Sequence, residues 1–355
     1  MEKSSSSAAA AAEVTRLWWC TMVVSAVAAA ALTDHLRAYI VHMDTYAMPA
    51  SHSTPHAWYN QILSSLSDPT THLYTYEHVL DGFSAVLSSP WILKPDIMAP
   101  GVDILAAWVP NRAAVPLRDD FLVTDYALVS GTSMSCPHIS GVAALIKSVH
   151  KDWSPAAIRS AMMTTARVKN NADGPITDMI TGEAATPLDF GGGHVDPSKA
   201  SDPGLVYDLD KDQYVNYLCA MNYTSRQIRT ITKANPSCEN ASLDLNYPSF
   251  ILLLNQTNAT IYTFTRVLTN VAEVRTSYRA VVDSPAGMKV VVRPDIVSFA
   301  GRLSTAEFNL TVEIDVGARP LSDYVGNFGY LSWVEVDGTH VVRSSIVSAY
   351  LPLPH

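Results

Sequence analysis

The sequence predicts a multi-domain chain with a small α+β unit, an α/β domain and a C-terminal β-sandwich. Strand-like apolar runs and helix patterns follow one another up to about residue 165. Beyond about residue 240 the pattern changes to short strands of alternating polarity. Asp337-Gly338, a two-residue hairpin signal, joins the last two of these strands. Regular strand spacing with such turns is typical of a β-sandwich.

The N-terminus predicts a secreted protein. An apolar stretch at residues 17–32 follows a weakly charged start and ends in small residues that suit signal peptidase. The alternative is a membrane anchor, but the stretch is rich in alanine and short for a span of about 20 residues. We therefore assign residues 1–33 to a signal peptide and expect no stable membrane anchor.

Residues 38–89 predict the α+β unit. Thr54 is a natural N-cap with Pro55 at the first helical position, and apolar residues recur after it at helical spacing. The predicted helix is flanked by strand patterns at residues 38–43, 73–76 and 82–87.

The next region predicts strands that lead into helices. Residues 104–108 form a continuous apolar run bounded by Pro-Gly and Pro110, which indicates a buried strand. A strand at 126–129 leads to a helix that begins near Ser133. The apolar stripe expected on this helix consists of Val142, Leu145, Ile146 and Val149. A second helix is predicted from Ser154-Pro155 to about Thr165.

The sandwich is predicted at residues 240–355. Its strand patterns lie at residues 262–267, 278–282, 289–292, 308–314, 330–336 and 340–346. We expect this domain to fold without the residues before it, because its strand series is complete enough to close a core.

Composition excludes several classes of protein. Of the 355 residues 48% are hydrophobic and 16% are charged, which excludes a disordered chain. The formal net charge is −9 and no run of Lys and Arg stands out, so no nucleic-acid partner is expected. No pair of Cys or His has metal-ligand spacing with a matching second pair, so we predict no metal and no cofactor.

Five sequons for N-glycosylation support the secretory route, and all of them lie beyond residue 220. Their acceptor residues are Asn222, Asn240, Asn255, Asn258 and Asn309.

Three of the four cysteines lie outside the predicted signal peptide. Cys219 and Cys238 flank a polar stretch that a disulfide would close, with a stabilisation of about 3 kcal/mol in the chain-entropy model. Cys136 is expected to pack as a small buried hydrophobe. We therefore predict a disulfide between Cys219 and Cys238 and a reduced Cys136.

Residues 130–141, SGTSMSCPHISG, resemble the segment around the nucleophilic serine of subtilisin-like proteases, in the form typical of plant subtilases. Other segments are also similar to that family. Residues 38–88 resemble the first part of its propeptide, residues 91–108 and 191–208 its late catalytic domain, and residues 245–250 the entry to its fibronectin type III-like domain.

The resemblance implies a secreted serine endopeptidase of the apoplast or cell wall, with Ser133 as the nucleophile and peptide or protein substrates. It identifies residues 38–89 as a partial α+β propeptide and residues 90–237 as the C-terminal part of an α/β subtilisin-like catalytic domain. It identifies residues 240–355 as a fibronectin type III-like β-sandwich. The resemblance gives no oligomeric state.

The family's catalytic aspartate and histidine lie upstream of the serine, and this chain has no match to either. A serine attacks an amide only when a base takes its proton and a carboxylate orients that base. The residues before Ser133 contain no Asp-Thr-Gly or Asp-Ser-Gly segment and no Gly-His-Gly-Thr-His segment. Asn111 is the one asparagine between Ser89 and Ser133, and its setting does not match the family's oxyanion asparagine. We therefore expect the chain to be inactive alone.

No other histidine is expected to replace the missing base. His138 lies five positions from Ser133, so on a helix it points about 140° away from the serine, and we expect it to pack inside.

Several interpretations remain open. The chain is either an inactive protease or a non-catalytic secreted glycoprotein that acts by binding or as a propeptide-like inhibitor. The inhibitor is less favoured, because the propeptide segment that enters the substrate cleft in the family has no match here. A deletion in the gene, an alternative transcript or an erroneous gene model would each leave this sequence.

Overall fold

The computed structural model describes residues 36–42, 71–76, 82–88, 92–112, 114–117, 120–179, 181–254, 261–314 and 325–350. These residues fall into two compact units. One unit contains residues 92–211 and 244–350, and the other contains the described residues before 91 together with 212–243. The predicted signal peptide and the helix predicted after Thr54 lie outside the described residues.

The N-terminal residues of the second unit form one antiparallel sheet. Its strands are β1 (Leu36–His42), β2 (Thr71–Tyr76) and β3 (Gly82–Ser88), in the order β1-β3-β2. Leu36 pairs with Ser88 and His42 with Gly82, so β1 and β3 match along their full length. The three strands predicted in this region are present.

The larger unit begins with two short antiparallel ribbons. β4 (Ile104–Ala107) pairs with β7 (Tyr126–Val129), and β5 (Val115–Leu117) pairs with β6 (Asp120–Leu122). The prediction of a buried strand at 104–108 is wrong, since Leu105 on β4 and Leu128 on β7 are each 68% exposed. Other elements cover at most one face of this two-stranded ribbon, and its other face stays in solvent.

Two helices follow the ribbons. They are α1 (Thr132–Val149) and α2 (Pro155–Thr164). The second helix starts as predicted, because the Ser154 hydroxyl accepts a hydrogen bond from the Ala157 amide over 2.9 Å. The stripe predicted on α1 is only half correct. Val142 and Ile146 are buried, whereas Leu145 and Val149 remain 65% and 70% exposed.

Two short helices, α3 (Pro187–Phe190) and α4 (Pro197–Ala200), complete this part. One apolar cluster joins the helices to the sandwich. Its central members are Ile146 of α1, Ala161 of α2, Ala200 of α4 and Val206, all nearly or fully buried.

The sandwich consists of two sheets. One sheet has the order β12 (Met288–Arg293), β14 (Thr305–Ile314), β10 (Ile261–Asn270) and β8 (Leu205–Val206). The other has the order β13 (Ile296–Phe299), β11 (Thr276–Asp283), β15 (Val325–Glu335), β16 (Val341–Tyr350) and β9 (Ser249–Leu254). Neighbouring strands are antiparallel, except that β9 runs parallel to β16. The six predicted strands are all present.

The sandwich also contains residues from before its predicted start at residue 240. In β8, Leu205 pairs with Asn270 of β10. Leu205 and Tyr207 lie in the same core as Phe308 and Trp333, and all four are fully buried or nearly so. The domain predicted at 240–355 is therefore incomplete without the segment around residue 205.

The smaller unit includes two more helices, α5 (Lys211–Ala220) and α6 (Ser225–Thr232). Thr224 caps α6: its hydroxyl oxygen accepts a hydrogen bond from the Gln227 amide over 3.3 Å, and its own amide donates one to Gln227 Oε1 over 2.8 Å. Cys219 at the end of α5 forms a disulfide with Cys238 beyond α6, with a Cα–Cα distance of 5.6 Å. Among the helices of the described residues, none is long and apolar enough to cross a membrane.

Candidate active site

Ser133 is the second residue of α1, and the chain reaches it from β7 through Gly131. Gly131 has a φ of 153°, which residues with a side chain rarely adopt, and its carbonyl accepts a hydrogen bond from the Met134 amide over 3.0 Å. This sharp entry leaves the Ser133 side chain exposed at the helix N-terminus. The helix dipole and the amides of the first turn favour negative charge there.

A loop at residues 99–103 packs against this helix start and braces it with hydrogen bonds. The Gly131 amide donates a hydrogen bond to the Gly101 carbonyl over 2.7 Å, and the Ser135 hydroxyl donates one to the Ala99 carbonyl over 3.0 Å. A Cβ atom on Gly101 would lie 2.2 Å from the Ser135 hydroxyl oxygen. Only glycine therefore allows the loop to approach the helix this closely.

The Ser133 hydroxyl has no hydrogen-bond partner among the side chains that the structure describes. His138 on the same helix is exposed, and its Nδ1 lies 2.7 Å from the Met134 carbonyl oxygen. The expectation that His138 packs inside is wrong. The buried residues of α1 are Val142 and Ile146, further along the helix, so its first turns contribute none to the core.

The expectation for Cys136 is likewise met only in part. It is a free cysteine, as expected, but it is exposed rather than buried. It lies on the first turns of α1, where no residue before Ile139 belongs to an apolar cluster of the described residues or packs against one.

Two further histidines whose side chains are described bond elsewhere. His150 Nε2 lies 2.8 Å from the Ser201 carbonyl oxygen, and its ring stacks on Trp153. His194 Nδ1 lies 3.0 Å from the Val195 carbonyl oxygen. Neither imidazole is hydrogen-bonded to Ser133.

The remaining described histidine belongs to an ionic cluster that the sequence did not predict. His340 Nδ1 lies 2.7 Å from Glu335 Oε2, and Nε2 lies 3.1 Å from Asp202 Oδ2. Burial lowers the pKa of His340, but the hydrogen bonds and charges of Asp202 and Glu335 outweigh it and raise the pKa above its usual value. No local pattern could have indicated this cluster, because Asp202 is distant in sequence from the other two.

Asn111 lies outside any strand, in an exposed turn closed by a hydrogen bond from the Arg112 amide to the Val109 carbonyl over 3.2 Å. Among the predicted glycosylation sites, Asn222, Asn240 and Asn309 are exposed. Asn255 and Asn258 lie outside the described residues.

In the described part of the chain, no group of three or more His, Cys, Asp or Glu side chains is arranged to hold a metal ion. The described site therefore consists of one exposed serine at a helix N-terminus, with bracing from the loop at 99–103.

Comparison with known proteins gives two family matches. The profile of the Subtilase family matches residues 3–193, and a Fibronectin type-III domain profile matches residues 244–348. The second match confirms the class predicted for the C-terminal sandwich.

Curated relatives agree with these matches. The chain is 47% identical over 264 residues to subtilisin-like protease SBT3 of Solanum lycopersicum, a match that covers 73% of this chain and 34% of the relative. It is 43% identical over 267 residues to subtilisin-like protease SBT1.7 of Arabidopsis thaliana, which covers 74% of this chain and 34% of the relative. The matched part thus spans about a third of the relatives' length. Because the Subtilase profile matches more than half of the sequence, the chain belongs to the subtilase family.

Proposed function

We propose that this chain is a secreted subtilase-family glycoprotein that holds Ser133 in the nucleophile position but binds peptides without cleaving them. The observation that supports this most directly is the bonding of the histidines. Each imidazole that the structure describes has a partner other than Ser133, and the sequence before Ser133 has no match to the family's histidine segment. A serine hydroxyl without a base remains protonated and weakly nucleophilic.

Known magnitudes make the loss of the base decisive. In a subtilisin, removal of the serine or the histidine lowers turnover by about 10⁶-fold. Removal of the oxyanion asparagine in a subtilisin lowers turnover by about 10²- to 10³-fold. The helix N-terminus at Ser133 supplies part of an oxyanion site, but that part cannot replace the missing proton transfer.

The apolar, alanine-rich N-terminus, the Cys219–Cys238 pair and the exposed sequon residues Asn222, Asn240 and Asn309 all support secretion. The subtilase relatives are named as proteases, which favours peptides or proteins as what this chain binds. No further partner is proposed.

Purified, glycosylated protein tests the proposal in two assays. A broad peptide library reports hydrolysis, and a fluorophosphonate probe reports whether any serine is activated for attack. Ser133→Ala is the matched control, and an active subtilase shows that both assays work. We expect no cleavage and no labelling in either form. Cleavage or labelling that disappears in Ser133→Ala would overturn the proposal.

A further inference from the structure

A cleft of about 650 Å³ lies in the larger unit, between the helices and the sandwich. Three parts of the chain that are distant in sequence form its walls. They are the end of α2 with the residues after it, the end of α4 with the residues after it, and the start of β16 with the turn before it. Sites for small molecules have volumes of about 300–1,000 Å³, so the cleft has the size of such a site. Ser133 does not line it.

The cleft is rich in cationic side chains, although the chain as a whole has a formal net charge of −9. Its walls carry the four cationic residues Arg167, Lys169, Lys199 and Arg343, against the two acidic residues Asp173 and Asp202. The carboxylate of Asp202 is already engaged, because its Oδ2 lies 3.1 Å from His340 Nε2. A cleft lined mainly by one sign of charge concentrates ions of the opposite sign. Its charge therefore favours an anionic ligand.

Three of the cations are exposed and are free to meet a ligand. Arg167, Lys169 and Lys199 form no ion pair within the described part of the chain. They come from two different walls, since the first two follow α2 and Lys199 belongs to α4. Like charges that the fold holds around one cleft repel one another, and an anion placed between them removes that repulsion.

The fourth cation, Arg343 on β16, is half-buried. Its guanidinium donates a hydrogen bond to the Ala166 carbonyl oxygen and lies 5.8 Å from the centre of the Tyr330 ring. Burial lowers the pKa of Arg343, because it disfavours the charged form. No carboxylate among the described residues forms an ion pair with this guanidinium. An anion in the cleft would supply the missing partner.

The lining also indicates the kind of anion. Among the described residues that line the cleft, none is Phe, Tyr or Trp, so a nucleotide base would find no aromatic ring on which to stack. Four cations around so small a volume suit a ligand with several anionic groups better than a ligand with one. We propose that this cleft binds a small polyanion, a molecule that carries two or more carboxylate or phosphate groups.

The test measures the binding of small anions to the full glycosylated chain by calorimetry, at constant pH and ionic strength. The probes are citrate, pyrophosphate and acetate. Each further anionic group adds an ion pair, so citrate or pyrophosphate should bind at least about tenfold more tightly than acetate. The polyanion that binds should also raise the midpoint of thermal unfolding, because it binds the folded chain.

The decisive variant is Arg167→Gln/Lys199→Gln, which removes two exposed cations from different walls of the cleft. The loss of two exposed ion pairs should weaken polyanion binding by about fivefold or more. The matched control is Arg279→Gln/Lys151→Gln, which removes the same charge at exposed positions outside the cleft. It should leave the affinity almost unchanged.

Arg343→Gln tests the half-buried cation. An ion pair that is partly shielded from water is screened less by salt, so this variant should weaken binding at least as much as the exposed double variant does. Because Arg343 also bonds to the Ala166 carbonyl, thermal unfolding first checks that the variant is folded. The exposed double variant tests the same proposal without a change to a half-buried side chain.

Three results would overturn the proposal. They are the absence of saturable binding by both polyanions, equal affinity for the polyanions and acetate, and equal weakening by the two double variants, which would show that binding follows net charge alone. Binding of citrate without pyrophosphate, or the reverse, would support the site and assign it to carboxylates or to phosphates. No peptide is present in these assays, so their outcome is independent of the proposed function.

Discussion

The Ser344 hydroxyl donates a hydrogen bond to the Tyr207 hydroxyl over 3.1 Å, and both side chains are buried. Tyr207 immediately follows β8, whereas Ser344 lies on β16 in the other sheet of the sandwich. Burial raises the pKa of Tyr207 to about 12, so its hydroxyl keeps its proton at neutral pH. The segment around Tyr207 is therefore held in the core of the sandwich by a neutral hydrogen bond as well as by apolar packing.

The first prediction tests whether β8 belongs to that core. Leu205 has no exposed surface, so Leu205→Ala should lower the free energy of unfolding by about 2–5 kcal/mol through lost burial and a cavity. Leu145→Ala is the matched control, because Leu145 is 65% exposed and its loss should change stability by about 0.5 kcal/mol or less. Chemical denaturation measures both. Similar effects of the two changes would contradict the assignment of β8 to the core.

The length of an element decided how well the sequence predicted it. β15 and β16 could be predicted because each contains a strand-like run, at residues 330–336 and 340–346, and a turn signal, Asp337-Gly338, lies between them. β8 has two residues and β13 has four, and segments this short show no period. For the same reason no pattern indicated that β8, upstream of the domain start predicted at residue 240, pairs with β10 of the sandwich.

The exposure of a side chain was predicted poorly where it depends on which other elements pack against its own helix or strand. The apolar pattern of β4 and α1 shows which face is hydrophobic, but not whether another element covers that face. Leu105 and Leu145 are therefore exposed although their spacing indicates a core. Cys136 and His138 are exposed for the same reason, although both were expected to be buried. The position of Ser133 at a helix start could be predicted, because a strand, a glycine and a helix pattern are contiguous there.

The second prediction concerns pH. The pKa of His340 is raised in the folded protein, so its protonated form stabilises the fold fully below the unfolded value of 6.5 and less as pH rises through the folded pKa. Glu335, whose pKa is lowered on balance although burial opposes this, stays ionised over that range. His340→Gln should therefore lose more stability relative to the native protein at about pH 5.5 than at about pH 9.

Thermal unfolding at both pH values measures this difference, and Glu335→Gln is the companion variant. It keeps His340 but removes the carboxylate 2.7 Å from Nδ1, so it should reduce the pH dependence without abolishing it. A loss in His340→Gln that is the same at both pH values would show that the cluster does not bind a proton more tightly in the folded state.

The third prediction concerns the thiols. Cys136 is free and exposed, so a maleimide should modify it in the native, unreduced protein, whereas Cys219 and Cys238 should react only after reduction. Mapping of non-reduced peptides measures the pairing directly. Recovery of a linked peptide that contains Cys136 would contradict it. Cys136→Ser should abolish the native labelling and leave the linked pair unchanged.

The last prediction tests whether the loop at residues 99–103 stabilises the helix start at Ser133. It uses two glycine substitutions that should change stability in opposite directions. Gly101→Ala places a methyl group 2.2 Å from the Ser135 hydroxyl oxygen and 2.9 Å from the Gly131 carbonyl oxygen. The loop must then move away from the helix, which weakens the hydrogen bonds from Gly131 to Gly101 and from Ser135 to Ala99. Overpacking of this kind should lower stability by about 1–3 kcal/mol.

Gly141→Ala is the matched control in the middle of α1, where a methyl group would meet no atom within 4 Å. Alanine restricts the unfolded chain and suits a helix, so this change should raise stability by about 0.5–1 kcal/mol. Chemical denaturation measures both variants on the same chain. If Gly101→Ala is as stable as the native protein, the loop at 99–103 does not brace the helix start. Destabilisation by Gly141→Ala would instead show that the exposed face of α1 is covered in solution, and Leu145 and Val149 would then be buried as their spacing indicates.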